Sequence, residues 1–278
     1  MYHSILGVVL QGNTLYSILA GMVEATSNNT MSIFTPSEPD PEMEAMLKAG
    51  VHLGHSKSKN HPSMQSHLFG IRNTVSVIDL VSTKEKLGAA EEFVKGVAAR
   101  GGLVLLVGTR PAARKAIQEI GERTRMPYFV ERWIGGTLTN FKVISKRVEY
   151  MERLEHEKTT GDFEKYIKKE RMGKEEEIVR LRKIFDGIRP LKRLPEALFI
   201  VDTTHDTTAI REARRMKIPI AALVDTNANA SMIDYPIPSN DDALPAVRYM
   251  MERIGRAIEE GMKMAEQKRL ETGDKKEE

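Results

Sequence analysis

At 278 residues, 41% of them hydrophobic, the chain can bury one sizeable core with an extension, or two small domains. Its formal net charge of +3 is close to balance, so any argument for a polyanionic partner must come from where charge sits rather than how much there is. It has no cysteine, which excludes a disulfide scaffold and a cysteine-ligated zinc site.

Ile5–Leu10 and Leu15–Val23 are apolar, yet the first lysine is Lys48, so the basic start of a secretory signal is missing. Gln11-Gly12-Asn13 breaks the run well short of the roughly 18 residues a membrane span requires. Residues 1–41 are expected to be a poorly ordered extension with Met31 as an alternative start, not a membrane anchor. Thr35–Pro41, with three prolines and two acids, reads as a linker into a short helix near Glu42–Lys48.

The segment His52–Arg72 follows. It is polar, punctuated by Gly and Pro, and holds four of the seven histidines: His52, His55, His61 and His67. With Lys57, Lys59 and Arg72 it reads as a phosphate-contacting loop, a merely solvated loop being the plainer alternative. Val75–Ile78 reads as a strand, with Thr83 as N-cap of a helix to about Arg100. Leu103–Val107 is a continuous apolar run of the kind buried on both faces of a parallel sheet. Pro111 then suits the first turn of a helix to about Glu122. Tyr128–Val130, Leu198–Val201 and Ile220–Val224 are further strands, with a helix at Thr207–Met216 and a last amphipathic helix from about Asp242 to Lys268. Strand and helix in alternation imply right-handed crossovers and a doubly wound parallel α/β sheet. The α/β domain covers 42–140 and 194–268, and 269–278 is a charged tail.

Between the third and fourth strands lies an insert, 141–193. It carries 16 of the 42 basic residues but only 11 of the 39 acidic ones, so it is positive while the remainder is slightly negative. Its apolar residues form narrow stripes: Phe141, Ile144, Val148, Met151 and Leu154, then Ile178, Leu181, Phe185 and Ile188. Steps of three and four suit two helices with facing stripes, joined by the turn cluster Thr159–Asp162. An arm of this kind serves a protein gripping a large polyanion better than it serves an enzyme pocket. Arg132, Trp133, Gly135, Gly136, Thr137, Asn140 and Phe141 form the junction before it, with Trp133 and Phe141 expected to plug the gap between arm and sheet.

Catalytic and cofactor signatures fail one by one. Gly108-Thr109-Arg110-Pro111 lacks the dinucleotide-binding spacing, and no phosphate-binding P-loop occurs. Asp225–Asn229 starts like a calcium loop, but Ala230 and Pro236 stand where glycine and glutamate are required. His52 with His55, and Asp202 with His205 and Asp206, lack a helical His-x-x-x-His pair, so no metal site is assigned. No G-x-S-x-G elbow is present. No catalytic residue and no cofactor is assigned.

Five segments are nonetheless distinctive: Met46–His55, Arg132–Phe141, Arg193–Asp202, Ile218–Asn227 and Ile237–Ala243. In this order, across about 43–258, they resemble the S-two family of bacterial small-subunit ribosomal proteins. The resemblance implies a flavodoxin-like α/β domain carrying a coiled-coil hairpin, non-enzymatic, in the cytoplasm on the ribosome. It implies a place at the neck between head and body, contacts with small-subunit ribosomal RNA and neighbouring ribosomal proteins, and help in recruiting the large mRNA-binding ribosomal protein. No membrane and no small-molecule substrate is implied. The family commonly follows His55 with two basic residues, a Trp and Asn-Pro-Lys; here Ser58–Ser63 dilutes that basic-aromatic contact.

On this reading the candidate RNA-contacting residues are His52, His55, Lys57, Lys59, His61 and Arg72 in the loop. On the arm they are Lys142, Lys146, Arg147, Lys168, Lys169, Arg171, Arg182, Lys192 and Arg193. The alternative is a nucleotide- or sugar-phosphate-dependent α/β enzyme with the arm as a dimerising coiled coil.

Overall fold

A computed structural model describes residues 40–273; the expectations for the N-terminal extension, for a start at Met31 and for the end of the tail lie outside the described residues. Helix α1 (Pro41–Ala49) starts where Asp40 accepts from the Glu42 backbone N–H at 3.0 Å and Pro41 sits in the first turn. It ends at Gly50, whose φ of +77° closes the last turn.

Three short strands come next: β1 (Leu53–Ser56), β2 (Leu68–Arg72) and β3 (Val75–Ile78). They form an antiparallel sheet in the order β1-β3-β2. Asn73 and Thr74, both at positive φ, make the tight turn between β2 and β3, the backbone hand that suits a two-residue hairpin.

The main sheet contains β4 (Val104–Val107), β5 (Tyr128–Phe129), β6 (Ala197–Ile200), β7 (Ile220–Val224) and β8 (Tyr235–Pro238). Every pairing is parallel and the order is β5-β4-β6-β7-β8. Counted within this sheet, the order is two-one-three-four-five, that of flavodoxin-like folds. The three inner strands β4, β6 and β7 are buried along their whole length, as their unbroken apolar runs require. Val104 and Leu106 pack toward α2 (Leu80–Ala99), α3 (Pro111–Thr124) and α7 (Leu244–Gly273), against Leu87, Ile117 and Met250. Leu105 and Val107 face the other way, toward α6 (Thr207–Arg215) and the base of the insert, against Ile210, Ile144 and Phe185. Each such side chain contributes about 1.5–3 kcal/mol by burial.

The insert forms α4 (Phe141–Thr159) and α5 (Lys168–Phe185), joined through a short 3-10 turn at Asp162–Lys165. Near the body, Ile144, Val148, Met151 and Phe185 belong to the main core. Farther out, Leu154, Phe163 and Ile178 make a small core of their own with Tyr150, Tyr166 and Leu181. Among the described residues, no helix is long and apolar enough to cross a membrane.

Three expectations need correction. Val75–Ile78 is not part of the parallel sheet but the centre of the antiparallel one, flanked by strands within the segment read as a loop. The fifth parallel strand is instead Tyr235–Pro238, whose prolines argue against a strand by propensity. As an edge strand bonded only to β7, it accommodates both. Thr83 is not a cap: Asp79 caps α2, accepting from Val81 N at 2.9 Å, while the Thr83 hydroxyl donates to the Pro238 carbonyl at 2.7 Å and ties the helix to the edge strand.

Candidate nucleic-acid interface

The junction and the arm behind it are held by one carboxylate. Glu212 lies on α6, buried, with both oxygens turned to the loop before α4. Oε1 accepts from Trp133 Nε1 at 3.0 Å and from the Gly136 N–H at 2.8 Å. Oε2 accepts from the N–H groups of Leu138 at 3.0 Å and Thr139 at 3.2 Å, and from the Thr139 hydroxyl at 3.2 Å. Burial pushes its pKa up, but these donors outweigh that and hold it below the usual glutamate value. Gly136 has a φ of +91°, a conformation that glycine adopts without strain. Trp133 is half-buried, tilted against Phe129 at 5.1 Å between ring centres, and Phe141 packs on the same core. Thr137 is buried with its hydroxyl on the Ile134 carbonyl at 2.6 Å, while Arg132, Gly135 and Asn140 are exposed. Sequence spacing gave no hint of Glu212, more than 70 residues away in the chain.

On the arm, acids of α4 meet bases of α5 and of the segment after it. Arg189 clasps Glu155 with two hydrogen bonds of 2.7 Å, and Arg182 bonds the same carboxylate. Lys174 pairs with Glu157 at 3.3 Å and sits 3.8 Å from the Tyr166 ring centre. Lys158 pairs with Glu175 and Lys192 with Glu152, both at 3.1 Å, and Arg193 pairs with Glu196. Arg182, Lys192 and Arg193 are therefore engaged internally. Lys142, Lys146, Arg147, Lys168 and Lys169 are exposed, and Arg171 is half-buried; none of the six has an ion-pair partner among the described residues. They fall into two groups, at the base and the tip of the arm, about 25 Å apart at 1.5 Å per residue.

The loop residues divide similarly. Lys57, Lys59 and Arg72 are exposed and without ion pairs among the described residues. His61 is half-buried, its Nδ1 accepting from Ser63 N at 3.2 Å. Burial pushes His52 below the usual imidazole value, so it is neutral near pH 7. His55 is turned inward. Its backbone N–H donates to the Thr226 hydroxyl at 2.9 Å, and its ring lies between Asp225 and Asp242.

That inward turn leads to the carboxyl edge of the parallel sheet, where α/β folds place ligands. Asp202 follows β6, Asp225 follows β7, and Asp241 and Asp242 follow β8. Arg110 Nε sits 2.5 Å from Asp202 Oδ2 and the same guanidinium bonds Asp242. Asp241 is 2% exposed; burial first, then the charges of Asp202, Asp225 and Asp242, push its pKa up to about 8. Beside it, Thr203, Thr204, Thr207, Arg211, Asn227 and His61 line a shallow cavity of about 360 Å³.

The profile of the family described as ribosomal protein S2 matches residues 46–261. A Dehalococcoides mccartyi protein named small ribosomal subunit protein uS2 is 39% identical over 234 residues, 84% of this chain and 96% of that protein. The uS2 protein of Dictyoglomus thermophilum is 42% identical over 81% of this chain and 91% of its own length. That of Roseiflexus castenholzii is 42% identical over 79% and 83%.

Proposed function

Because the chain belongs to the ribosomal protein S2 family, we propose that it is a structural constituent of the small ribosomal subunit, working in translation in the cytoplasm and catalysing no reaction. In this reading residues 42–140 and 194–268 form a positioning scaffold, 141–193 a coiled-coil arm, and 269–278 a charged tail. The partners are small-subunit ribosomal RNA at the neck between head and body, neighbouring ribosomal proteins, and among them the large mRNA-binding one. No small-molecule substrate and no membrane takes part.

The observation that supports RNA binding is the split among the cations. Glu152, Glu155, Glu157 and Glu175 of the arm pair within the arm, whereas Lys142, Lys146, Arg147, Lys168, Lys169 and Arg171 have no ion-pair partner among the described residues and carry its positive excess. Lys57, Lys59 and Arg72 add a second site on the antiparallel sheet. Such groups neutralise backbone phosphates and release counterions, reading position rather than base identity. Arg182, Lys192 and Arg193 would have to break internal pairs to join them, burial keeps His52 neutral, and His55 is turned inward. Neutralising about six phosphates gives log affinity a slope of about −4 to −5 against log salt, measured on the purified chain with small-subunit ribosomal RNA. A salt-independent affinity overturns the mechanism.

A further inference from the structure

Helix α6 carries a cationic face that no acid answers. Arg211, Arg214 and Arg215 are exposed on one side of it, at steps of three and four, and the exposed Lys217 follows just beyond its end. None of the four has an ion-pair partner among the described residues. The single acid of the helix, Glu212, is buried and turned to the root of the arm. Arg211 also lines the cavity of about 360 Å³, a size at the lower end of small-ligand sites. Ile210, Ala228 and Met232 give that cavity apolar walls, and Thr203 and Asn227 give it polar groups. Thr203 is 5% exposed, and its Oγ1, like Asn227 Oδ1, is buried with no hydrogen-bond partner among the described residues. Unmade hydrogen bonds at buried polar atoms are costly, so two on one cavity point to an occupant that completes them.

We propose that this cavity receives the base of an unpaired RNA nucleotide whose adjoining phosphates rest on Arg211, Arg214 and Arg215, an inference that rests on the RNA-binding reading above. A hydroxyl that can donate, beside an amide oxygen that accepts, matches the adjacent acceptor and donor on the Watson–Crick edge of every nucleobase. Pairing occupies that edge in a duplex, so the site selects a splayed-out nucleotide rather than a helix. The apolar walls cover the faces of the ring. The neutral base, not the phosphate, is the part that enters. Thr204, also on the lining, donates to the buried Asp202 Oδ1 from its N–H at 2.8 Å and its hydroxyl at 2.7 Å, and the charge of that carboxylate repels an anion from the interior. The phosphates are held outside, where Arg215 lies about 6 Å along the helix from Arg211. Helix α6 thereby adds a point of register to the cationic surfaces of the arm and the antiparallel sheet.

The test titrates the full chain into a short single-stranded RNA carrying the fluorescent base 2-aminopurine, whose emission rises when it leaves the base stack. Emission is expected to rise with the single strand and to stay unchanged when the same strand is in a duplex. Thr203→Val keeps the side-chain shape and removes a hydroxyl that makes no hydrogen bond among the described residues. Its thermal midpoint should hold while affinity for the single strand falls about three- to tenfold. Should that midpoint drop, Asn227→Ala serves as the second variant, with the same loss expected. Arg211→Gln with Arg215→Gln, both exposed, should make the log–log salt slope shallower by about 1–2. Unchanged emission, or wild-type affinity in the variant that keeps its midpoint, overturns the base site alone if small-subunit ribosomal RNA still binds with its salt dependence. A chain that binds neither RNA overturns the RNA-binding reading as well.

Discussion

The indole Nε1 of Trp133 donates to Glu212 Oε1 at 3.0 Å, and this bond is one of five that fasten the arm's root to helix α6. Removing the carboxylate strands five donors in a poorly solvated niche, each costing about 1–3 kcal/mol, though not additively. Glu212→Ala should therefore destabilise the fold by about 2–4 kcal/mol, lowering the thermal midpoint by roughly 5–15 °C. Glu212→Gln keeps the shape but presents an amide to N–H donors, so it should fall between the two. A midpoint within a degree of wild type for Glu212→Ala would show that the arm's root is held by packing alone.

Much of the main sheet is legible in the chain because its strands are continuous apolar runs, as in Leu103–Val107 and Ile220–Val224. Tyr235–Pro238 is hidden because its prolines at alternate positions contradict strand propensity, and only an edge location, bonded on one side, reconciles them. The strands flanking Val75–Ile78 are hidden for another reason: Leu53–Ser56 and Leu68–Arg72 are short, contain glycine, and sit among histidines and serines. The positive insert and its stripes are visible from periodicity, but which cations remain free is not. That depends on acids of α4 meeting bases of α5 and of the segment after it, as Glu155 meets Arg182 and Arg189. Glu212 and the His55–Asp225–Asp242 group are beyond sequence reach because Glu212 lies more than 70 positions from its partners and His55 about 170 or more from Asp225 and Asp242, and nothing local distinguishes them.

Free and engaged cations on the arm should behave differently toward RNA. The triple change Lys142→Gln, Lys146→Gln and Arg147→Gln removes three exposed charges that make no ion pair among the described residues. The log–log salt slope for small-subunit ribosomal RNA should become shallower by about 2–3, with the thermal midpoint nearly unchanged. Arg182→Gln, by contrast, removes a partner of Glu155, so it should alter stability more than slope. Equal effects on slope from Arg182 and from one of the three would dissolve the distinction between the groups.

Acid should loosen the arm through Glu155. The Arg189 guanidinium, opposed by partial burial and aided by Arg182, holds this carboxyl at about 2. Its folded pKa lies below the unfolded one, so its contribution is complete above about pH 4.5 and is lost as pH falls toward 2. Arg182 is more than half exposed, so solvent screening limits the contribution to about 1–2 kcal/mol. Wild type should exceed Glu155→Gln by that amount at pH 7 in urea unfolding, and the gap should close by about pH 2–3. A gap unchanged between pH 7 and pH 3 would mean that the pair contributes no charge-dependent stability.

Gly54 is required by the approach of β1 to the loop after β7. A methyl group built there meets Thr226 Cγ2 at 2.4 Å, Thr226 Oγ1 at 2.9 Å and the Ser76 carbonyl at 3.1 Å. The first two belong to the side chain that receives the His55 N–H, so Gly54→Ala should push β1 off Thr226 and carry His55 away from Asp225. Overpacking of this kind costs about 1–3 kcal/mol. Thr226→Ala alone loses one hydrogen bond, about 1 kcal/mol, but it also removes both clashing atoms. The double variant should then be more stable than the sum of the two single losses allows, by about 1 kcal/mol in a double-mutant cycle read by urea unfolding. Strict additivity would place the strain elsewhere, at the Ser76 carbonyl, which Thr226→Ala does not relieve.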